Sequence, residues 1–303
     1  MNAIPRRIAI LASICVAAFT GAQWALPNVR LLAGSDTSPS KKIVLIAGEK
    51  SHGPTTHEYE KGARLFKYCL DNSPNVLGVE TIVVTKGWPD NAQALDDAAT
   101  IMLFSDGSDI DEKKHPLLNG DRMQAFGRLM NRGCGYVAIH YTTFTPRKHE
   151  TQFLDWVGGY YDYESGPPPK NWWSKHVVND YLCLPATPEH PICRGLTRFE
   201  LHEEFYFNMR FRQPDPRRQN ILSFGKDDAS AVAWAVERAD GGRGFAYTGG
   251  HFHKNWANDY VRRMALNALL WTAKVEVPPE GVKSSLPPDW AEQIKPPPKK
   301  DGQ

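Results

Sequence analysis

Ten histidines are spread along 303 residues, and several sit where a buried strand gives way to a polar turn. "GYVAIHYTTF" places His140 at the abrupt end of an apolar run. This is a nucleophile-elbow context, in which a sharp turn thrusts one side chain into a cleft. The residue there is neither Ser nor Cys, and Cys134 lies before the strand, so acyl transfer is disfavoured. His140 suits acid–base work or metal ligation instead. "YTGGHFHKNW" carries His251 and His253 after a Gly pair. Alternation sends both imidazoles to one side if the backbone stays extended. In "LHEEFYFN", His202, Glu204 and Tyr206 share a strand face, which makes Glu204 a candidate base or carboxylate ligand. "IAGEKSHGPTTHEYE" adds His52 and His57 between a strand and a helix. Their spacing is not a helical i, i+4 pair, so no zincin motif is present.

These residues need a scaffold that gathers them. "KKIVLIAG", "VETIVVT", "ATIMLFSDG" and "GYVAIH" read as strands, the first and last as continuous apolar runs of the kind buried on both faces. Helices are expected over roughly 56–71, capped by Thr55 or Thr56, over 121–132, and through "NDYVRRMALNALLWTA". Strands alternating with helices specify an α/β fold with a mostly parallel sheet. Ligands in such sheets sit beyond the carboxyl ends of the strands. That rule brings the loop after Gly48, the Asp106–Asp109 turn and the His140–Thr145 turn to one mouth. The second half is less regular, with an aromatic, Pro-rich loop through Trp172 and Trp173. The resulting expectation is one pocket built from His52, His57, His140, His251 and His253. The alternative for each imidazole is an ordinary structural role.

Composition narrows the partners. The net charge is +2, and without Arg6 and Arg7 the basic and acidic side chains are equal in number. No basic stripe argues for nucleic acid. Residues 1–22 fit a signal peptide: Arg6 and Arg7, then an apolar run from Ile8 to Phe19 that is short against the ~20 residues of a membrane span. A periplasmic or secreted location follows, and an uncleaved membrane anchor is the alternative. Residues 23–40 read as a linker, 41–277 as the folded domain and 278–303 as an extended Pro/Lys-rich tail. Cys183 and Cys193 could pair, and buried free thiols are an equal alternative. Nine Trp and eleven Tyr fit either a sugar platform, drawn from Tyr160, Trp172, Trp173 and Trp256, or core packing.

"VLIAGEKSHGPTTHEYEKG", "YVAIHY", "WVGGYY", "HPICRGL", "EEFYFNMRF" and "GRGFAYTGGHFHKNWANDYVRRMALNALLW" together resemble the trehalose-utilisation (ThuA-like) family. The resemblance runs from about Lys41 to Val277. It implies a three-layer, flavodoxin-like fold of the class I glutamine amidotransferase-like type, with helices on both faces of the sheet, and a role in carbohydrate metabolism. The amidotransferase reaction itself is not supported, because His140 stands where those enzymes have Cys. The expectation is an enzyme acting on a disaccharide or keto-sugar by hydrolysis, elimination or isomerisation. Its acid–base residues would be His140, Glu204 and His251. Its divalent metal, zinc first, would be held by His140, His251 and His253. Its substrate would be gripped by His52, His57, Asp106, Tyr206 and Trp256. The alternative is a non-catalytic sugar-binding module.

Overall fold

The computed structural model describes residues 40–164 and 173–295. The expected signal peptide, the expected linker up to residue 39, Trp172 and the last eight residues lie outside the described residues. In chain order the elements are β1 (Lys41–Ala47), α1 (Tyr59–Asp71), β2 (Val79–Val84), β3 (Ala98–Phe104), α2 (Arg122–Asn131), β4 (Gly135–Ile139), α3 (Glu150–Trp156) and β5 (Gly159–Tyr160). There follow β6 (Lys175–Pro185), β7 (Phe199–Phe207), β8 (Arg210–Phe211), β9 (Arg218–Ser223), β10 (Ala231–Glu237), β11 (Arg243–Tyr247), α4 (Asp259–Thr272) and α5 (Trp290–Gln293).

Nine strands form one sheet in the order β2-β1-β3-β4-β11-β10-β9-β6-β7. The half from β2 to β11 is parallel, and the half from β11 to β7 pairs antiparallel. Strand alternation divides the core into two layers. Ile43, Leu45, Met102, Phe104, Val137 and Ile139 pack beneath α1 and α4. Val44, Ile46, Ile101, Leu103, Tyr136 and Ala138 pack beneath α2 and α3. Apolar side chains on both faces explain why these strands read as unbroken apolar runs.

Two expectations need correction, and one open alternative is decided. α1 begins at Tyr59 rather than Thr56, because Thr55 and His57 both have positive φ, which interrupts a helix. Neither threonine caps it; Glu58 occupies the cap position, and its Oε1 accepts from the Thr55 N–H at 2.9 Å. The expected tail is part of the fold as far as Lys295. Val282 and Trp290 are buried in the α1–α4 layer, and Lys61 donates to the Gln293 carbonyl at 3.0 Å. Cys183 and Cys193 are unpaired buried thiols, as are Cys69 and Cys134. Among the described residues no helix is long and apolar enough to cross a membrane.

Buried histidines outside the pocket give the fold a pH dependence. Nε2 of His115 faces the Thr142 carbonyl at 3.1 Å, and Nδ1 accepts from the Leu117 N–H. Burial lowers the pKa of His115 and of His190 to about 4. The unfolded chain, near 6.5, therefore takes up these protons first. Stability is complete above pH 6.5 and is lost as pH falls towards 4. Each histidine contributes about 2 kcal/mol to that loss by pH 5, at about 1.4 kcal/mol per pKa unit. Urea unfolding at pH 7.5 and pH 5 should show the fall, and His115→Gln should reduce it. An equal stability at both pH values would contradict this account.

Candidate active site

Four strand exits meet at the carboxyl edge of the sheet. β4 and β11 are parallel neighbours with Ile139 opposite Tyr247, so His140 emerges beside Thr248. His140 Nδ1 lies 2.7 Å from the Thr248 carbonyl, which only accepts, so Nδ1 carries the proton and Nε2 presents its lone pair. The residue sits at φ +53°, in the left-handed region that favours glycine. The expected elbow thus exists as a strained turn that points a fully buried imidazole at His57 and Tyr206, beneath the cavity lining.

The His52–His57 loop is tied to the loop after β11 by an antiparallel bridge between Thr56 and Phe252. The His57 N–H donates to the His251 carbonyl at 3.0 Å, and the His253 N–H to the Thr55 carbonyl at 2.9 Å. This register places His57 and His251 side by side. Gly250 makes the turn at φ +110°, and a Cβ there would stand 3.0 Å from the Trp256 ring.

The three imidazoles converge. His57 Nε2 is 2.9 Å from His251 Nδ1 and 3.2 Å from His140 Nε2. Proton positions follow from the partners. Burial raises the Tyr59 phenol well above 10, with Asp106 adding to the shift, so the phenol keeps its proton and donates it to Asp106 Oδ1 at 2.5 Å. Its oxygen then accepts from His57 Nδ1 at 2.6 Å, which leaves the lone pair on His57 Nε2. Burial lowers His57 to about 4, although Asp106 pulls the other way, and burial takes His140 well below 6.5. Both rings are therefore neutral near pH 7. Glu204 Oε2 stands 2.9 Å from His251 Nδ1. Burial alone would raise the Glu204 pKa, but the hydrogen bond and charge of His251 hold it below the usual carboxylate value. The Tyr206 hydroxyl lies 2.8 Å from His140 Nε2, and the two rings stack.

His57, His140 and His251 form a set that could hold a metal ion. Bonds of about 2.0–2.1 Å put neighbouring donors roughly 2.8–3.4 Å apart across an octahedral or tetrahedral edge. Two of the three separations, 2.9 and 3.2 Å, lie in that interval. The Thr248 carbonyl and the Tyr59–Asp106 pair orient two of the rings, as outer partners of ligating histidines do. His52, His57 and Asp106 also approach one another. In that second set Asp106 Oδ1 already accepts from Ser51 and Tyr59.

The cavity over the histidines has a volume of about 180 Å³ and is lined by His52, His57, Tyr141, His176, Glu204 and His251, among others. Several expected members lie outside the cavity lining. A 3₁₀ turn over His253–Ala257 breaks the extended backbone, so His253 turns away from His251. It is buried against Trp290 and reaches Gln293 at 3.4 Å. Trp256 is buried at the edge of Phe66 and Phe104 and offers no platform to a sugar. Of the other expected platform residues, Tyr160 is buried, and Trp173 stacks beneath the Arg210 guanidinium. Asp106 lies behind His57 rather than in the cavity lining. Sequence reasoning missed Tyr59, Tyr141, His176 and Glu203. Only Tyr59, two residues after His57, carried a local signal.

Glu203 is fully buried and holds the loop that carries His251. Its carboxylate accepts from Glu204 N at 2.9 Å, Gly250 N at 3.1 Å, Phe252 N at 3.4 Å and Asn255 Nδ2 at 3.0 Å.

Comparison with known proteins agrees with this architecture. The ThuA family model, described as trehalose utilisation, matches residues 44–272. The chain belongs to the ThuA family. Among solved structures it is similar to a ThuA-like protein from Bacteroides uniformis, at 14% identity and TM-score 0.59, covering 80% of this chain and 94% of that one. It is also similar to a ThuA-like protein from Parabacteroides merdae, at 16% identity and TM-score 0.52, covering 83% and 94%. A glutamine amidotransferase from Thermotoga maritima matches at 10% identity and TM-score 0.41, over 78% of this chain and 91% of that one. No curated protein matches the chain. The α/β fold is shared with the two ThuA-like structures, and membership suggests a carbohydrate-related role.

Glu203→Gln would set an amide NH₂ against backbone N–H donors. Unfolding free energy should fall by about 1–3 kcal/mol, the cost of leaving buried polar groups unsatisfied. Denaturant titration of the purified variant checks this, and wild-type stability would deny Glu203 its anchoring role.

Proposed function

We propose that this ThuA-family chain is an exported, metal-dependent enzyme that moves protons on a sugar or keto-sugar. One observation supports it most: nitrogens of three imidazoles, with a carboxylate beside them, converge at 2.9 and 3.2 Å. Between His57 Nε2 and His140 Nε2 no proton is available near neutral pH, because burial keeps both rings uncharged. An electron-rich nest of this kind suits a divalent cation, zinc first, held by His57, His140 and His251. Such an ion would polarise a carbonyl or a hydroxyl oxygen of the substrate.

The chain's own groups divide the remaining work. Glu204 faces the cavity as a carboxylate and acts as the base that removes a proton beside the polarised oxygen. Tyr206 keeps its phenolic proton, since burial raises its pKa far above 10; its hydroxyl lies 2.8 Å from His140 Nε2, and with that nitrogen on a metal it would donate to a substrate oxygen instead. His52 and His176 stand on the rim, where they meet sugar hydroxyls. Tyr59 and Asp106 fix the His57 tautomer from behind. The small cavity suits one ring of a sugar, with the rest of a disaccharide directed outwards.

Elemental analysis of purified protein before and after chelation tests the reading. About one divalent ion per chain should be present, and His140→Ala and His57→Ala should each lower metal affinity by at least tenfold without unfolding the chain. His253→Ala should retain the ion. Metal content unaffected by His140→Ala and His57→Ala would refute the centre. Sugar binding without turnover, in a metal-free wild-type protein, would favour the binding-module alternative.

A further inference from the structure

A second crevice opens on the same edge of the sheet. β1 leads through α1 to β2 on one side, and the chain then crosses to β3 on the other side of β1. The loops after β1 and β3 therefore part, and open α/β sheets bind ligands where strand order reverses in this way. The crevice here has a volume of about 340 Å³, larger than the histidine cavity. Its floor includes Gly48 and Gly87, and the Gly87 N–H donates to the Ala47 carbonyl at 2.7 Å. A Cβ at Gly48 would meet Ser105 at 2.6 Å, so backbone rather than side chain faces the opening.

We propose that this crevice binds a small oxyanion, the phosphate ester or carboxylate of a sugar derivative. Four cations line it: Lys86, Lys113, Lys114 and Arg122. Among the described residues the three lysines have no ion-pair partner, whereas nearby Lys148 is paired with Glu112. The Arg122 guanidinium is steadied by the Pro116 carbonyl at 3.2 Å and by the Trp88 ring. It keeps further N–H groups for a planar or tetrahedral oxyanion. Three carboxylates also line the crevice. Asp106 is engaged by Ser51 and Tyr59 but remains ionised, so three carboxylates stand against four cations, and Glu49 and Asp111 are the two whose oxygens those hydroxyls leave open. The balance is positive, and the two carboxylates, with Asn119, can accept from sugar hydroxyls. The crevice borders the histidine cavity through one short stretch: Gly48 and Glu49 line the one, His52 lines the other, and Ser51 contacts both His52 and Asp106.

Calorimetric titration of the metal-stripped full chain with glucose 6-phosphate, glucuronate, inorganic phosphate and neutral glucose tests the site. Saturable binding of the phosphate ester or of the uronate is expected, weakened by added salt. A Lys86→Glu/Lys114→Glu variant that retains the wild-type melting temperature should lose at least tenfold in affinity. Whichever of the two sugar anions binds more tightly identifies the group, and equal binding identifies a general oxyanion site. His140→Ala should bind as wild type does, which separates this site from the histidine centre. Absence of saturable binding by both sugar anions, unchanged affinity in the double variant, or loss of binding in His140→Ala would each overturn the proposal.

Discussion

The bridge between Thr56 and Phe252 is the contact on which the candidate site depends. It joins two loops whose paired histidines, His57 and His251, are separated by 194 positions in the chain. Two backbone hydrogen bonds, His57 to His251 and His253 to Thr55, set the register. A shift of one residue would turn alternate side chains to the opposite side, so the register decides which histidine of His251-Phe252-His253 faces the pocket. The cost is visible in the backbone: Thr55, His57 and His140 all occupy the left-handed region. Each such residue costs on the order of 1–3 kcal/mol, and persists only where surrounding structure over-determines it. Here the packed sheet below and the Glu203 anchor beside it supply that determination.

Burial then fixes the chemistry of the gathered groups. An imidazole in water near neutral pH carries a substantial fraction of its protons; His57 and His140, removed from water, do not. Neutral rings with defined tautomers are ligands and hydrogen-bond acceptors rather than cations. Tyr59 illustrates the same principle in reverse, because its buried phenol keeps its proton and so directs the lone pair of His57 inwards. The turn after β4 accordingly presents a neutral imidazole, His140, rather than a hydroxyl or thiol nucleophile.

The parallel half of the fold was legible in the sequence because its strands are buried on both faces and its helices carry clear apolar stripes. The carboxyl-edge rule then gathered His52, His57 and His140 without coordinates. Two kinds of information were missing. Extended alternation was assumed for His251 and His253, yet a 3₁₀ turn starts at His253 and sends it to Trp290. Composition was also a poor guide to position. Trp256 was expected on a sugar platform, but its ring fills space against Phe66 and Phe104. The Pro- and Lys-rich stretch after Val277 contains Val282 and Trp290, enough apolar surface to dock on α1 and α4. Tyr59 and Glu203 act through partners distant in sequence, and no local pattern announces such roles.

The two halves of the sheet contribute differently to the pocket, and this accounts for its mixed chemistry. Parallel strands β1, β3, β4 and β11 end at one edge and deliver the imidazoles and Asp106 from their loops. The antiparallel strand β7, at the far margin of the sheet order, delivers Glu204 and Tyr206 from within a strand. Alternation along β7 is what divides its acidic pair: Glu203 points into the apolar layer and anchors the His251 loop, while Glu204 points to the cavity and meets the His251 ring. Adjacent carboxylates thus acquire opposite surroundings, and burial raises the pKa of one while His251 lowers that of the other. A single strand therefore supplies both the support for the His251 loop and the carboxylate beside its ring, and any distortion of β7 must disturb the two together.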